Sequence, residues 1–383
     1  MSAPKPPRDA SVDLVRGAVM VLMALDHARD FFGDGRDPLD LATTTFPLFF
    51  TRWVTHFCAP VFVLLAGVSA YVGGASMRPA EASRLLLTRG LWLVVLELTV
   101  VRFGWLFNVD YRFSFVQVIW AIGWSMVALA LLSRLGARAC LALGAAMIAG
   151  HNLLDGVHAD RLGGAGWLWH VLHQPGRLTP LEGHRVYVAY PLVPWVGVMA
   201  VGYGLGPWME RAPAERRQLI LRAGAVLTAG FVSLRALNVY GDPQRWRAQP
   251  RTGFTLLSFL DCEKYPPSLL YLLMTLGPAL LAWGALTGRD LARARPVVTF
   301  GRVPLFYYVL HLPLLHAMAG AWLYARGGTA AIEAAHSSRN GSGGSLPVVY
   351  AAWALGVALL WPLCRWFDGV KTRHRGAWWT KYT

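Results

Sequence analysis

The chain has 383 residues, 55% of them hydrophobic and only 15% charged, with 17 Trp, a mean hydropathy of +0.41 and a formal net charge of +15. Soluble domains of this length do not carry so much apolar surface, so the composition points to an all-α, polytopic integral membrane protein whose constant partner is the lipid bilayer. The positive charge is nearly all arginine, scattered between apolar stretches with no continuous patch, which excludes a nucleic-acid partner.

Residues 1–11 are polar and Pro-rich, with no small-residue cleavage pattern after a short apolar run. They are read as a disordered cytoplasmic N-terminus ahead of a retained helix. That helix, 12–32, is wholly apolar from Gly17 to Leu25 but has Arg16 just before and Asp26-His27-Ala28-Arg29-Asp30 just after. Ionisable groups near hydrocarbon cost free energy and mark function. Arg16 and His27 are about three helical turns apart, so they share a face with roughly 16 Å between them. Such a face suits a passage with a basic group at one mouth and an acid/base group at the other. Asp26 adjoins His27 in sequence and points elsewhere. Asp30 lies about one turn on and is the expected orienter of the imidazole. The plain alternative is a set of interfacial charges flanking a short hydrophobic core.

Further windows of about 20 apolar residues bring the expected total to about ten spans. They fall near 52–73, 84–104, 113–133, 137–155, 188–209, 217–238, 267–287, 296–324 and 347–367. Arginines pile up on alternate connections, among them Arg78, Arg134, Arg211 and Arg289, and again in the tail at Arg373 and Arg375. The positive-inside rule puts those connections and both termini in the cytoplasm. Residues 12–370 then form a single transmembrane domain, and 371–383 a basic cytoplasmic tail. The long connections near 156–187, 239–266 and 325–346 fall outside, the last with a flexible Gly/Ser run whose Asn340-Gly341-Ser342 sequon is chance. On this topology every histidine but His374 lies in an outer half-span or loop, together with Glu97, Asp261, Glu263 and Lys264. Arg16, Arg89, Arg222 and Arg302 sit at inner ends, where a buried guanidinium needs an anion and phosphate serves. Snorkelling to headgroups is the alternative, strongest for Arg222.

Cys58, Cys140, Cys262 and Cys364 have neither pairing nor metal-ligand spacing, so neither a disulfide framework nor a metal site is expected. In Asp261-Cys-Glu-Lys264-Tyr265-Pro266-Pro267-Ser268 the prolines fix an extended backbone and start a helix at Pro267, holding Lys264 and Tyr265 at the membrane surface. A plain turn reads the same way. Gly301-Arg302-Val-Pro304-Leu-Phe-Tyr307-Tyr308-Val-Leu-His311-Leu-Pro313 puts Tyr307 and His311 on one face, with both prolines expected to bend the helix. A satisfied core histidine is the alternative for His311. Tyr190-Pro191-Leu-Val-Pro194-Trp195 is a similar break opening the sixth span. No phosphate-binding loop, nucleophile elbow or His-Glu-x-x-His motif is present.

Asp13-Leu-Val-Arg16-Gly17 with ten residues between Arg16 and His27, Ala59-Pro60-Val-Phe62-Val-Leu-Leu-Ala66-Gly67-Val-Ser69, Lys264-Tyr-Pro-Pro-Ser268 and Gly301 to His311 together resemble a known family. It is the bacterial branch of the heparan-alpha-glucosaminide N-acetyltransferase catalytic-domain family. The Arg-to-His spacing is also similar to the first-helix motif of the large membrane acyltransferases that O-acylate bacterial surface sugars. The resemblance implies transfer of an acetyl or other acyl group from cytoplasmic acyl-CoA, without a metal, to a sugar hydroxyl or amine across the bacterial inner membrane. Arg16, Arg89 and Arg302 would hold the CoA phosphates. His27, oriented by Asp30 and neighboured by Asp26, would be the base, and His311 with Tyr307 would donate to the oxyanion. Lys264, Tyr265, His56 and Trp169 would hold the acceptor glycan. In one respect the chain departs from the lysosomal branch, which carries an amide at the position of His27. The oligomeric state is open, a homodimer being one candidate. The rival is a multi-pass transporter or proton-coupled carrier using Asp26, Glu97 and His311; the second five spans hold no copy of the Arg-x₁₀-His helix, as a repeat would require. A non-catalytic scaffold would need neither Arg16 nor His27.

Overall fold

A computed structural model describes residues 9–337 and 342–383; the N-terminal eight residues and Asn340 and Gly341 of the sequon lie outside the described residues. The protein is mostly helical. Its helices are α1 (Ala10–Phe32), α2 (Phe46–Thr55), α3 (Cys58–Gly74), α4 (Pro79–Leu96), α5 (Arg102–Leu106), α6 (Val118–Leu132), α7 (Ala137–Gly150) and α8 (Gly166–Leu172). They continue with α9 (Leu192–Gly204), α10 (Pro213–Leu237), α11 (Phe254–Leu260), α12 (Leu269–Leu286), α13 (Arg295–Arg302), α14 (Pro304–Ser337) and α15 (Leu346–Arg373).

Among the described residues, seven helices are long and apolar enough to cross a membrane, or eight if α13 and α14 form one broken span. The chain is therefore a multi-pass helical membrane protein. Helices also stand where the first and third spans are expected, but α1 and the α4–α5 stretch carry too many charged residues to qualify by composition. Those charges face the bundle interior and not the lipid, since Asp13, Asp26, Glu97 and Arg102 are all buried.

Three local departures from the sequence reading have physical causes. The expected span at 113–133 opens with a strand, β1 (Phe113–Val116), which pairs in parallel with β3 (His184–Val188); β3 pairs antiparallel with β2 (Gly176–Leu181). A short apolar strand running straight into an apolar helix has no periodicity of its own, so the two read as one segment. Helix α12 begins at Leu269, not Pro267, because the Ser268 hydroxyl caps it by accepting from Tyr271 N at 3.0 Å. Of the two prolines in the Gly301 to His316 stretch, Pro304 sits at a 79° break between α13 and α14, whereas Pro313 stays inside helical backbone.

Helix α1 crosses α13 backbone to backbone. A Cβ on Gly17 would run into the Val297 carbonyl, and one on Gly301 into the Asp13 carbonyl, so both positions need glycine. The far end of α1 is held by the Gly344 amide, which donates to the Phe32 carbonyl at 2.9 Å. The basic connections gather at the near end: Arg216 pairs with Asp9 at 2.9 Å and Arg134 donates to Ser83 at 3.3 Å. At the far end, Asn152 accepts from Leu269 N at 2.9 Å.

Candidate active site

Close packing of α1 on α13 sets the first half of the site. Arg16 donates to the Gly301 carbonyl at 3.1 Å, to Asp13 at 3.2 Å and to the Ser69 hydroxyl at 2.7 Å, so three of the motif segments meet at one guanidinium. A cavity of about 190 Å³ opens beside it, lined by Arg16, Arg89, Arg302 and Lys371 with Phe62, Trp92 and Pro304. No acidic side chain lines it. A second cleft of about 280 Å³ shares Arg302 and Lys371 and adds Arg375. Asp13 pairs with Arg16 at 3.2 Å, and Asp368, which lines the second cleft, pairs with Arg302 at 3.4 Å, so the mouth is partly compensated but keeps an excess of basic side chains suited to an anion.

The other end of the same helix face carries the histidine pair. On α14, just beyond the Pro304 break, His311 is fully buried and its Nδ1 lies 2.6 Å from the Tyr308 carbonyl. A carbonyl only accepts, so His311 Nδ1 carries the proton and, with both rings neutral, Nε2 is an acceptor. His27 Nδ1, 2.7 Å from that Nε2, is then the donor. The chain of hydrogen bonds thus assigns the tautomer of His27 and leaves its Nε2 with a free lone pair. Trp105 packs edge-on against the His27 ring, centroids 4.9 Å apart, and fixes its plane.

A small cavity of about 30 Å³ adjoins this pair, lined by His27, Asp26, Lys264, Tyr190, Gln117, Tyr308 and Phe62 among others. Phe62 lines both this cavity and the arginine-lined one. The two chambers therefore meet at one aromatic ring. Asp26 is held by Arg52 at 2.6 and 2.7 Å, by Arg29 at 2.9 Å and by the Thr55 hydroxyl at 2.9 Å. This keeps a compensated anion beside Lys264 in the cavity wall.

The expected residues distribute unevenly. Arg16, Arg89 and Arg302 share one cavity; His27, Asp26 and Lys264 share the other. Asp30 does not orient His27: it pairs with Arg29 at 2.7 Å and lines a separate polar cleft of about 280 Å³ with Asp34 and Arg36. A carboxylate gains more from a guanidinium than from a neutral imidazole, and His311 takes the expected place of Asp30. Tyr307 stacks on His311 with centroids 5.5 Å apart, but its neighbour Tyr308 is the one lining the His27 cavity. Tyr265 sits behind Tyr190, its ring 5.1 Å from Lys264 Nζ. His56 is fully buried against Tyr271, whose hydroxyl donates to the His56 carbonyl at 2.8 Å. Trp169 is elsewhere: its indole donates to the Val157 carbonyl at 2.8 Å and its ring meets His173.

Arg52 and Gln117 have no place in the sequence reading of the site, and Phe62 and Tyr190 enter it only as members of a motif and of a helix break. Arg52 at the head of an apolar run carried a signal of the same kind as Arg16; Phe62 carried none of its own, being one aromatic in an apolar helix. The segment bearing Lys264 is fixed from behind by Arg235, buried on α10, which donates to the carbonyls of Phe259, Gln244, Ser258 and Asp261 at 2.5 to 3.1 Å. In this segment burial and the nearby Asp242 push the Asp261 carboxyl up to about 7, against the opposing pull of Arg235.

Comparison with known families gives a match over residues 8–241, more than half of the chain, to the family described as heparan-alpha-glucosaminide N-acetyltransferase, catalytic. No curated protein matches the chain.

Proposed function

Because the chain belongs to the heparan-alpha-glucosaminide N-acetyltransferase catalytic family, a membrane acetyltransferase family that implies an acyl-CoA co-substrate, we propose that it moves an acetyl group across the bilayer to a sugar. The donor is cytoplasmic acetyl-CoA, the acceptor a hydroxyl or amine of a glycan on the outer side, and the setting the bacterial inner membrane with both termini cytoplasmic. The observation that carries this reading is the pair of cavities sharing Phe62, one walled by four cations and the other by His27. Arg16, Arg89, Arg302 and Lys371 suit the phosphates of the donor, and the roughly 16 Å along α1 suits its extended arm.

At the far end, His27 Nε2 takes the proton from the acceptor O–H or N–H as that atom attacks the thioester carbonyl. The new C–O or C–N bond forms, the C–S bond breaks, and the same Nε2 returns the proton to the departing thiolate. His311 serves as His27's tautomer anchor, the part a carboxylate plays in a Ser-His-Asp triad. Lys264 and Tyr308 line the cavity, which supports giving them the stabilisation of the oxyanion. The polar cleft with Asp30, joined to Asp26 through Arg29, supports an acceptor entrance from the outer side.

Detergent-purified protein incubated with radiolabelled acetyl-CoA tests the proposal. The parent should bind and slowly hydrolyse the donor, Arg16→Ala should bind it weakly, and His27→Ala should bind it normally without hydrolysis or transfer. A parent that binds no acyl-CoA up to millimolar concentration removes the donor and returns the chain to the carrier reading, with Glu97 and His311 as the groups to examine by transport.

A further inference from the structure

Away from this site, at the far end of the bundle, His151, Asp155 and His173 bring their ligand atoms within 4.8 Å of one another. His151 and Asp155 follow α7, and His173 follows α8, so side chains from two separate segments converge on one point. Both imidazoles are buried, 2% and 3% exposed; His173 Nε2 has only Asp155 Oδ1 near it, at 3.3 Å, and no well-formed hydrogen bond to another side chain reaches any of their four nitrogens among the described residues. Buried polar groups are normally well hydrogen-bonded, and two under-satisfied imidazoles packed edge to face, centroids 5.6 Å apart, are a departure from that.

We propose that His151, Asp155 and His173 bind a late first-row divalent cation, zinc by preference. Two imidazoles and a carboxylate are a borderline-soft donor set of the kind that zinc takes with a water in the fourth position. Donors bound ~2.0–2.1 Å from a tetrahedral ion stand about 3.3 Å apart. His173 Nε2 and Asp155 Oδ1 are 3.3 Å apart. The surroundings supply the outer support that such ligands need: Asn152 donates to Asp155 Oδ2 at 2.9 Å, leaving Oδ1 to face His173, and the Pro267 carbonyl faces the His151 ring. Asp155 is partly exposed, which leaves the ion a way in.

The site ties three pieces of the outer layer together. Asn152 also accepts from Leu269 N at the start of α12, so the ion would brace the segment whose Lys264 lines the His27 cavity. The expectation of no metal rested on cysteine spacing, and this cluster contains no cysteine. Its role is structural and independent of the acetyl-transfer reading.

The test uses the full chain in detergent, stripped with chelator and desalted, then dialysed against Zn²⁺ with metal content read by elemental analysis and Co²⁺ binding read by visible absorption. The parent should take up one ion per chain and melt at higher temperature with it than without. His151→Ala and His173→Ala should lose the ion and the metal-dependent rise in melting temperature. Asn152→Ala should weaken binding roughly 10- to 100-fold while the chain stays folded. His170→Ala, whose Nδ1 already faces the Gln174 carbonyl at 3.1 Å, should bind like the parent. If either histidine variant does not fold, Asp155→Asn and Asn152→Ala decide. A stripped parent that takes up no stoichiometric Zn²⁺ at micromolar concentration, or variants that bind as the parent does, overturns the proposal.

Discussion

Arg16 and His27 stand on one face of α1 and line different cavities, and the ring of Phe62 belongs to the wall of both. A side chain that borders both the cationic mouth and the histidine cavity is the first place to test for control over what passes between them. Phe62→Ala should widen the passage and shift donor preference toward longer acyl chains. A pocket difference of one methylene is worth about 1–3 kcal/mol, so the kcat/KM ratio of butyryl- to acetyl-CoA should rise roughly tenfold or more. An unchanged ratio would mean that the acyl group does not travel past Phe62.

Removing His311 should uncouple proton handling from binding. His311→Ala frees the His27 ring to adopt either tautomer, and transfer should fall by about 10²–10⁴-fold with the donor affinity unchanged. Asp30→Ala, by contrast, removes a carboxylate held by Arg29 and should leave the rate of donor hydrolysis near the parent value. Single-turnover measurements of both variants separate the two partners.

The four cations of the mouth should act through charge. Arg16→Ala, Arg89→Ala and Arg302→Ala are each expected to weaken acyl-CoA binding about 10- to 100-fold, the loss of a charged hydrogen bond worth ~1.5–3 kcal/mol. Binding by the parent should also fall with rising salt. Arg78→Ala, an exposed arginine already paired with Glu81, should bind like the parent in the same titration.

Gly17→Ala places a methyl group against the Val297 carbonyl and should destabilise the protein by about 1–3 kcal/mol, seen as a lower melting temperature in detergent. Gly73→Ala, at a position with open space around it, should leave the melting temperature unchanged or raise it slightly.

Asp261 supplies a pH signature. Its carboxyl is raised to about 7 in the folded protein, above the ordinary carboxylate range, by burial and by Asp242, with Glu263 and Asp37 adding to the effect and Arg235 opposing it. Between the ordinary value and pH 7 the folded state holds the extra proton, so this group's stabilisation is present at low pH and is lost as pH rises through about 7. Asp261→Asn should therefore raise the melting temperature more at pH 8 than at pH 5. Equal shifts at both values would show that Asp261 ionises freely in the fold.

The first helix was legible because charges interrupt an otherwise apolar run, and a 3.6-residue repeat alone places Arg16 and His27 on one face. The convergence of Arg16, Arg89 and Arg302 followed from a rule about inner span ends. Partner choice did not follow: helical spacing offers Asp30 to His27, but it takes no account of Arg29 and Arg52, which claim the carboxylates, nor of His311, which arrives from another helix. The small sheet was hidden for a different reason, since β1 merges into the apolar stretch of α6 and β2 and β3 lie in a polar connection. Phe62 reads only as one apolar member of a motif until two cavities are seen to share it.

The hydrogen bond between His27 and His311 spans 284 positions of sequence. Lys264 and Arg302 also come from the last third of the chain, beyond the stretch shared with the family at residues 8–241. During synthesis the His27 ring is made early, and the ring that sets its tautomer follows only after six helices long and apolar enough to cross a membrane, counted among the described residues. A nascent or truncated chain that ends before α14 therefore carries a His27 ring with no His311 to hold its tautomer.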